Sequence, residues 1–190
     1  KVILSSDVIP RMTVQTCRQV GLSVVYKELL DYDGDEIYFQ EEPKLVGKTF
    51  GDAVFAYGEC ALMGLRFAAG GVKINPPMDT VINAGDLVIA IAEDDDKVQL
   101  TGLDHVKIDE SAICSKSASK PEIERFLMLG WNNRGKTIVR ELDNYVAPGS
   151  FLKIVADSRD AESVVKTATE NISNLTVEFE FGDTTDRKLL

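Results

Sequence analysis

Gly130-Trp131-Asn132-Asn133-Arg134-Gly135 follows a short apolar run at 125–129 and precedes a helical pattern over 136–146. Strand, glycine turn and helix in that order are what a phosphate-binding turn of the Gly-x-Gly-x-x-Gly type requires. Gly130 permits the sharp bend out of the strand, and Gly135 lets helix and strand pack closely. The free N–H groups of the helix's first turn then face an anion such as a pyrophosphate. Asn132 stands where the pattern has its middle glycine. Asn tolerates unusual backbone angles but brings a side chain into the space the phosphates need. Asp157 ends the next strand about 20 residues after the turn, where an acid holds a ribose hydroxyl. These residues predict NAD(H) or another adenine nucleotide as ligand; the competing reading is a turn that shapes the fold and binds nothing.

A second cluster is acidic. Asp31, Asp33, Asp35 and Glu42 stand at offsets 1, 3, 5 and 12 of an EF-hand loop, which makes them candidates for a cation such as calcium. Glu36 occupies the place of that loop's required glycine, and the residues after it read as a strand, so a solvated turn is the stronger reading. Glu93-Asp94-Asp95-Asp96 reads as a solvent-facing loop. His105, the single histidine, has no neighbours of metal-binding spacing. No nucleophile and base are spaced as a catalytic pair, and no catalytic residue is assigned.

The composition narrows the classes of partner. Among 190 residues, 31 acidic and 21 basic side chains give a formal charge of −10. That balance argues against a nucleic-acid partner, whose phosphates demand cations, and against an anionic membrane face. The longest apolar run, 87–92, is far short of the roughly 20 residues that span a bilayer. Cys17, Cys60 and Cys114 are odd in number and widely spaced, as in a reducing compartment; Cys17 and Cys60 read as core, and Cys114 falls in a linker.

The elements that position these residues fall into four stretches. Residues 1–30 open on an apolar strand, turn at Ser5-Ser6-Asp7, and continue as helices over about 10–20 and 23–30. Pro10 suits the opening turn of the first helix, Gly21 separates the two, and Ser23 caps the second. Thr13, Cys17, Val20 and Val24 share an apolar face, so these helices are the expected dimer contact. Residues 31–103 read as a small α+β lobe. It has a strand at 36–40, a capping box at Thr49 with Asp52, a short helix through Tyr57, a hairpin turning at Gly70-Gly71, and a buried strand at 87–92. Residues 104–123 are polar and small, a linker. From 124 to 190, strands alternate with amphipathic helices. Ile138, Val139, Leu142, Tyr145 and Val146 line one helix, and Ala161, Val164, Val165 and Ala168 line the other. This is the first half of a doubly wound parallel sheet.

The sequence also resembles a known family. Leu45-Val46-Gly47-Lys48-Thr49, Asn75-Pro76-Pro77 and Ala84-Gly85-Asp86 are similar to the C-terminal lobe of RCK (TrkA/KTN-type) domains. Gly130 to Gly135, with Arg140-Glu141-Leu142-Asp143 and Val146-Ala147-Pro148-Gly149-Ser150, resembles the Castor/Pollux-type ion channels. Gly182-Asp183-Thr184 is similar to the ending of the third strand in RCK lobes, which adds Asp183 to the expected ligand-binding residues.

The resemblance implies an α/β plus α+β chain, with a TrkA-C-like lobe joined to a partial Rossmann-like sheet. Residues 1–30 then close a preceding nucleotide-binding lobe, and residues 124–190 open a second. It further implies a regulatory fragment on the cytoplasmic side of a membrane, soluble in itself. Its homo-oligomer would form a tetrameric gating ring under the pore domain of the same parent chain, a cation channel for potassium, and couple ligand binding to pore gating. Two other readings stand beside this: an NAD(P)-dependent oxidoreductase fragment, and a structural assembly module without a ligand.

Overall fold

A computed structural model describes residues 4–102, 109–114, 121–158, 160–187 and 189. They form two units: residues 23–115, and residues 1–22 together with 116–190. The first is therefore an insertion in the chain of the second, here called the inserted unit and the C-terminal unit.

Two helices open the chain, α1 (Ser5–Arg18) and α2 (Leu22–Glu28), with Gly21 at φ 88° between them. The expected turn at 5–7 is instead the first turn of α1, and Pro10 is buried in the helix interior rather than in its opening turn. An interior proline forfeits one N–H bond and costs about 3 kcal/mol in an isolated helix. Burial of Pro10 and Val14, and an Asp7–Arg11 ion pair at 3.1 Å one turn apart, favour the helix all the same. Ser23 lies within α2 instead of capping it, and Val20 and Val24 are exposed. Of the expected buried opening strand at residues 1–4, residues 1–3 lie outside the described residues, and Leu4 is instead the exposed N-cap position of α1.

The inserted unit contains β1 (Glu36–Gln40), α3 (Phe50–Val54), β2 (Ala61–Arg66), β3 (Val72–Ile74) and β4 (Leu87–Ala92). The strands form an antiparallel sheet in the order β1-β4-β2-β3. The capping box is present: Thr49 Oγ1 accepts the Asp52 N–H at 3.1 Å, and Asp52 Oδ2 accepts the Thr49 N–H at 3.0 Å. The helix it opens ends at Val54, short of Tyr57. Leu45, Phe50, Ala53 and Tyr57 pack against Leu65, Val88, Ala90 and Ala92 to make the core. Each large side chain so buried contributes about 1.5–3 kcal/mol. Cys60 is half-buried against this core, and burial pushes its thiol pKa up.

The C-terminal unit contains β5 (Arg125–Leu129), α4 (Gly135–Tyr145), β6 (Ser150–Ala156), α5 (Ala161–Thr169) and β7 (Leu175–Phe181). The three strands are parallel and adjacent, in the order β5-β6-β7, with Phe126 opposite Leu152 and Leu152 opposite Val177. Val139, Leu142, Val146 and Val165 cover Leu152 and Ile154 of the central strand, whose near-continuous apolar run is typical of a buried parallel strand. Helix α1 joins this core through Val14. Tyr145 and Val164, expected on inner faces, are 43% and 45% exposed.

Of the linker, residues 109–114 and 121–123 are described. They hold a 3-10 turn at Glu110–Ala112 and the exposed Cys114. His105 and the 115–120 segment lie outside the described residues.

Candidate functional site

The glycine turn begins where β5 ends. Gly130 has φ 86°, a left-handed angle that a side chain would strain, and its N–H continues the ladder to the Val155 carbonyl at 2.8 Å. Asn132 Oδ1 then accepts the Arg134 N–H at 2.8 Å, and the Asn132 carbonyl accepts the Gly135 N–H at 3.0 Å. The side chain that replaces the middle glycine therefore takes up an amide at the helix entrance. Gly135 is needed for a neighbour inside the turn itself: a Cβ there would lie 2.7 Å from ring carbons of Trp131. The close packing expected of Gly135 is thus with the folded-back Trp131 ring.

Gly130, Asp157 and Asp183 follow the carboxyl ends of β5, β6 and β7, whose register brings Leu129 beside Val155 and Ala156 beside Phe181. The fold thus gathers them along one edge of the sheet, where ligands of open parallel sheets bind. Asp157 is exposed. Asp183 is exposed too, and its Oδ1 accepts the Thr185 N–H at 2.8 Å and the Thr185 hydroxyl at 2.7 Å. Those two donors, the amide first, hold its pKa below the usual carboxylate value.

A crevice of about 460 Å³ adjoins the turn. Phe126, Met128, Trp131 and Ile138 give it apolar walls, and Thr13 and Cys17 of α1 close one side. None of its lining residues is charged. Cys17 is thus exposed on this crevice instead of lying in the core. Sequence reasoning missed the part α1 plays here. Arg11 pairs with Glu141 at 3.0 Å, and Arg18 grips Glu124 with two hydrogen bonds at 2.7 and 3.2 Å. The Arg18 guanidinium also lies 5.6 Å from the Tyr145 ring centre, a cation–π contact. Arg11, Val14 and Arg18 recur at helical spacing, the signal that could have revealed this docked face.

The acidic residues are arranged differently. A cleft of about 480 Å³ is lined by Asp33, Glu36, Glu93, Asp94 and Asp96 around Tyr38. The Tyr38 hydroxyl donates to Glu36 at 3.1 Å; burial first, then Glu36 and the nearby aspartates, push its pKa up to about 12. Of the four calcium candidates, Asp33 alone lines this cleft, while Glu42 accepts the Lys44 N–H at 3.1 Å as a cap. Among the described residues, no three His, Cys, Asp or Glu side chains gather as a metal-ligand set, so Asp31, Asp33, Asp35 and Glu42 do not form one.

Residues 6–109, more than half of the chain, match the sequence model of a family described as Castor and Pollux, part of voltage-gated ion channel. The chain belongs to the Castor and Pollux family. The match takes in nearly all of α1, α2 and most of the inserted unit, and stops short of the glycine turn. Curated Castor and Pollux relatives align over longer stretches. A probable ion channel POLLUX of Arabidopsis thaliana is 30% identical over 176 residues, 91% of this chain and 21% of the relative. A probable ion channel POLLUX of Oryza sativa subsp. japonica is 31% identical over 153 residues, 79% of this chain and 16% of the relative. The ion channel CASTOR of Lotus japonicus is 31% identical over 165 residues, 84% of this chain and 19% of the relative. The chain spans about a fifth of the length of these Castor and Pollux relatives, which are named as channels and not as enzymes. Among the described residues, no helix is long and apolar enough to cross a membrane.

Proposed function

We propose that this chain is a regulatory region of a cation channel of the Castor and Pollux family, built from an RCK-type C-terminal lobe and the first half of a second nucleotide-binding lobe. The observation that carries this reading is the parallel β5-β6-β7 sheet with a glycine turn at its first carboxyl end, in a chain whose relatives are named ion channels. In this reading the region lies on the cytoplasmic side and assembles as a homo-oligomeric ring beneath the parent's pore, which conducts potassium. The exposed parts of α1 and α2 are the contacts between subunits.

The ligand is an adenine nucleotide, NAD(H) included. Its phosphates sit against the first turn of α4 beside Gly130 and Asn132, and its ribose hydroxyls bind Asp157, with Asp183 at the neighbouring strand end. Such a ligand gates the pore to the extent that it binds one arrangement of the assembly better than another.

One observation favours a second reading, a structural assembly module without a ligand: Asn132 Oδ1 already holds the Arg134 amide. Thermal unfolding with NAD+, NADH, ATP, ADP or calcium separates the two. A nucleotide at about a hundred times its Kd stabilises by about 2.7 kcal/mol and raises Tm measurably, and Asp157→Ala abolishes the shift. No shift with any nucleotide would leave the assembly reading in place.

A further inference from the structure

Helix α1 is held to the C-terminal unit differently from α4 and α5. Those two run between strands of the sheet they cover, whereas α1 reaches its unit's remaining chain only across residues 23–115. Of its 14 residues, Pro10 and Val14 alone are buried. Packing beneath it is incomplete as well. The crevice of about 460 Å³ is lined by Thr13, Val14 and Cys17 of α1 together with Phe126, Met128 and Trp131. The helix spans this space without filling it, so it forgoes contacts that fix a close-packed helix. Charge supplies much of the hold. Arg11 pairs with Glu141 of α4, and Arg18 grips Glu124 and lies over the Tyr145 ring. Both arginines are exposed, where water competes for each pair. The helix is also weak by itself. Leu4 at its N-cap has no side chain that can cap, Pro10 forfeits an interior bond, and a lone helix of this length is marginal in water. Behind Arg18, Gly21 has φ 88° and open space where a Cβ would lie, which makes it a free joint.

We propose that α1 is a detachable latch on the crevice beside the glycine turn. Closed, its Thr13 and Cys17 shut one side of the pocket. Released, it swings about Gly21, frays, and bares Phe126, Met128 and Trp131 next to Gly130 and Asn132. Elements that open well below the free energy of global unfolding are those with few buried apolar contacts. Helix α1 fits that description, whereas α4 buries Gly135, Val139, Leu142 and Asp143 in 11 residues. Arg11 and Arg18 are the two catches, about one turn to either side of Val14. Each closes on a carboxylate of the C-terminal unit, so the latch is set by electrostatics as much as by burial. It governs entry to the crevice whichever ligand the turn takes, and so does not depend on the nucleotide reading.

Amide hydrogen exchange of the whole chain, resolved by fragment and repeated at rising urea below the unfolding transition, tests it. The expected result is that α1 amides exchange through a local opening, about a hundredfold or more faster than those of β6 and with a smaller urea dependence. Arg18→Glu, which sets two carboxylates against each other, speeds α1 exchange by about three- to tenfold, and adding Glu124→Arg recovers most of the protection. Acrylamide quenching of Trp131, the single tryptophan, rises in Arg18→Glu and returns in the swapped pair, while β6 exchange stays unchanged. Circular dichroism checks that each variant folds, and Arg11→Glu, facing Glu141, serves if Arg18→Glu does not. Exchange of α1 only together with β6, by global unfolding, overturns the proposal and makes α1 a fixed part of the core. Faster α1 exchange with unchanged Trp131 quenching overturns its guard over the crevice, and a charge swap without recovery overturns the assignment of its catches.

Discussion

Asp86 in the inserted unit and Asp143 in the C-terminal unit are 5% and 7% exposed, and each carboxylate gathers backbone amides. Asp86 takes the N–H groups of Ala68 and Asn83 at 2.8 Å each, fixing the turn into β4. Asp143 reaches from α4 to the amides of Ser173, Asn174 and Leu175, with its closest contacts at 2.8 Å, fixing the entry to β7. The antiparallel unit thus ties the start of β4 to the chain just past β2, 18 residues away, across the β3 excursion. The parallel unit must tie a helix to a strand some thirty residues away, because parallel strands are joined by long crossovers. Charge divides as well: residues outside 23–115 carry 13 acidic and 14 basic side chains, so the excess of acid belongs to the inserted unit. One unit is acidic; the other is near neutrality, with Lys153 and Glu180 paired at 2.6 Å across β6 and β7.

The sharpest way to break this comparison is Asp143→Ala. It strands three amides at once and costs about 3–5 kcal/mol. Trp131, the chain's single tryptophan, lies in the C-terminal unit, so urea unfolding followed by its fluorescence shows a lower midpoint. Amide hydrogen exchange in the inserted unit stays unchanged.

Asp86→Ala has the converse effect, about 2–4 kcal/mol in the inserted unit, with the tryptophan transition untouched. Here pH adds a sign. Burial alone raises the Asp86 pKa, but the amides of Ala68 and Asn83 and the Asn83 side chain outweigh it and leave it lowered. Its contribution is therefore complete above the unfolded value of about 3.9 and lost as pH falls through the lower folded value. Protection of β4 amides should decline below about pH 4 in the native chain, and this decline should be smaller in Asp86→Asn.

Two glycine substitutions grade the turn. Gly135→Ala drives a Cβ into Trp131 and costs about 1–3 kcal/mol with a change in tryptophan emission. Gly130→Ala meets no atom within 4 Å, so it pays backbone strain alone, about 1 kcal/mol. The smallest effect is that of Thr49→Ala, about 1 kcal/mol or less from the lost cap, seen in exchange at the α3 amides.

Much of this fold was legible because its signals are local. Glu36–Gln40 reads as a strand by itself, Thr49 and Asp52 announce a cap three residues apart, β5 and β6 are apolar runs beside glycines, and β7 alternates apolar and polar residues up to Gly182. What escaped was tertiary. Pro10 looked like a helix start because propensity knows nothing of the docking of Val14 and Arg18 on the C-terminal unit. Cys17 looked like core because α1 was assigned the wrong buried face. Asp143 looked like an ordinary polar position on α4, since its amides come from another element. At the candidate site, the strand-end placement of Gly130, Asp157 and Asp183 followed from the alternation of strands and helices. The engagement of Asn132 with Arg134 and the folding of Trp131 onto Gly135 depend on side-chain geometry that spacing does not encode.

That carboxamide has a consequence for selectivity. An anion arriving at the α4 entrance competes with a tethered rival whose effective concentration is in the millimolar range or above. Chloride or a lone carboxylate, offering one acceptor for one amide, gains little by displacing it. In the nucleotide-binding reading proposed above, a polyphosphate that satisfies several donors in the same step is the ligand able to displace Asn132 from the Arg134 amide, which would make the residue a filter for multivalent acceptors.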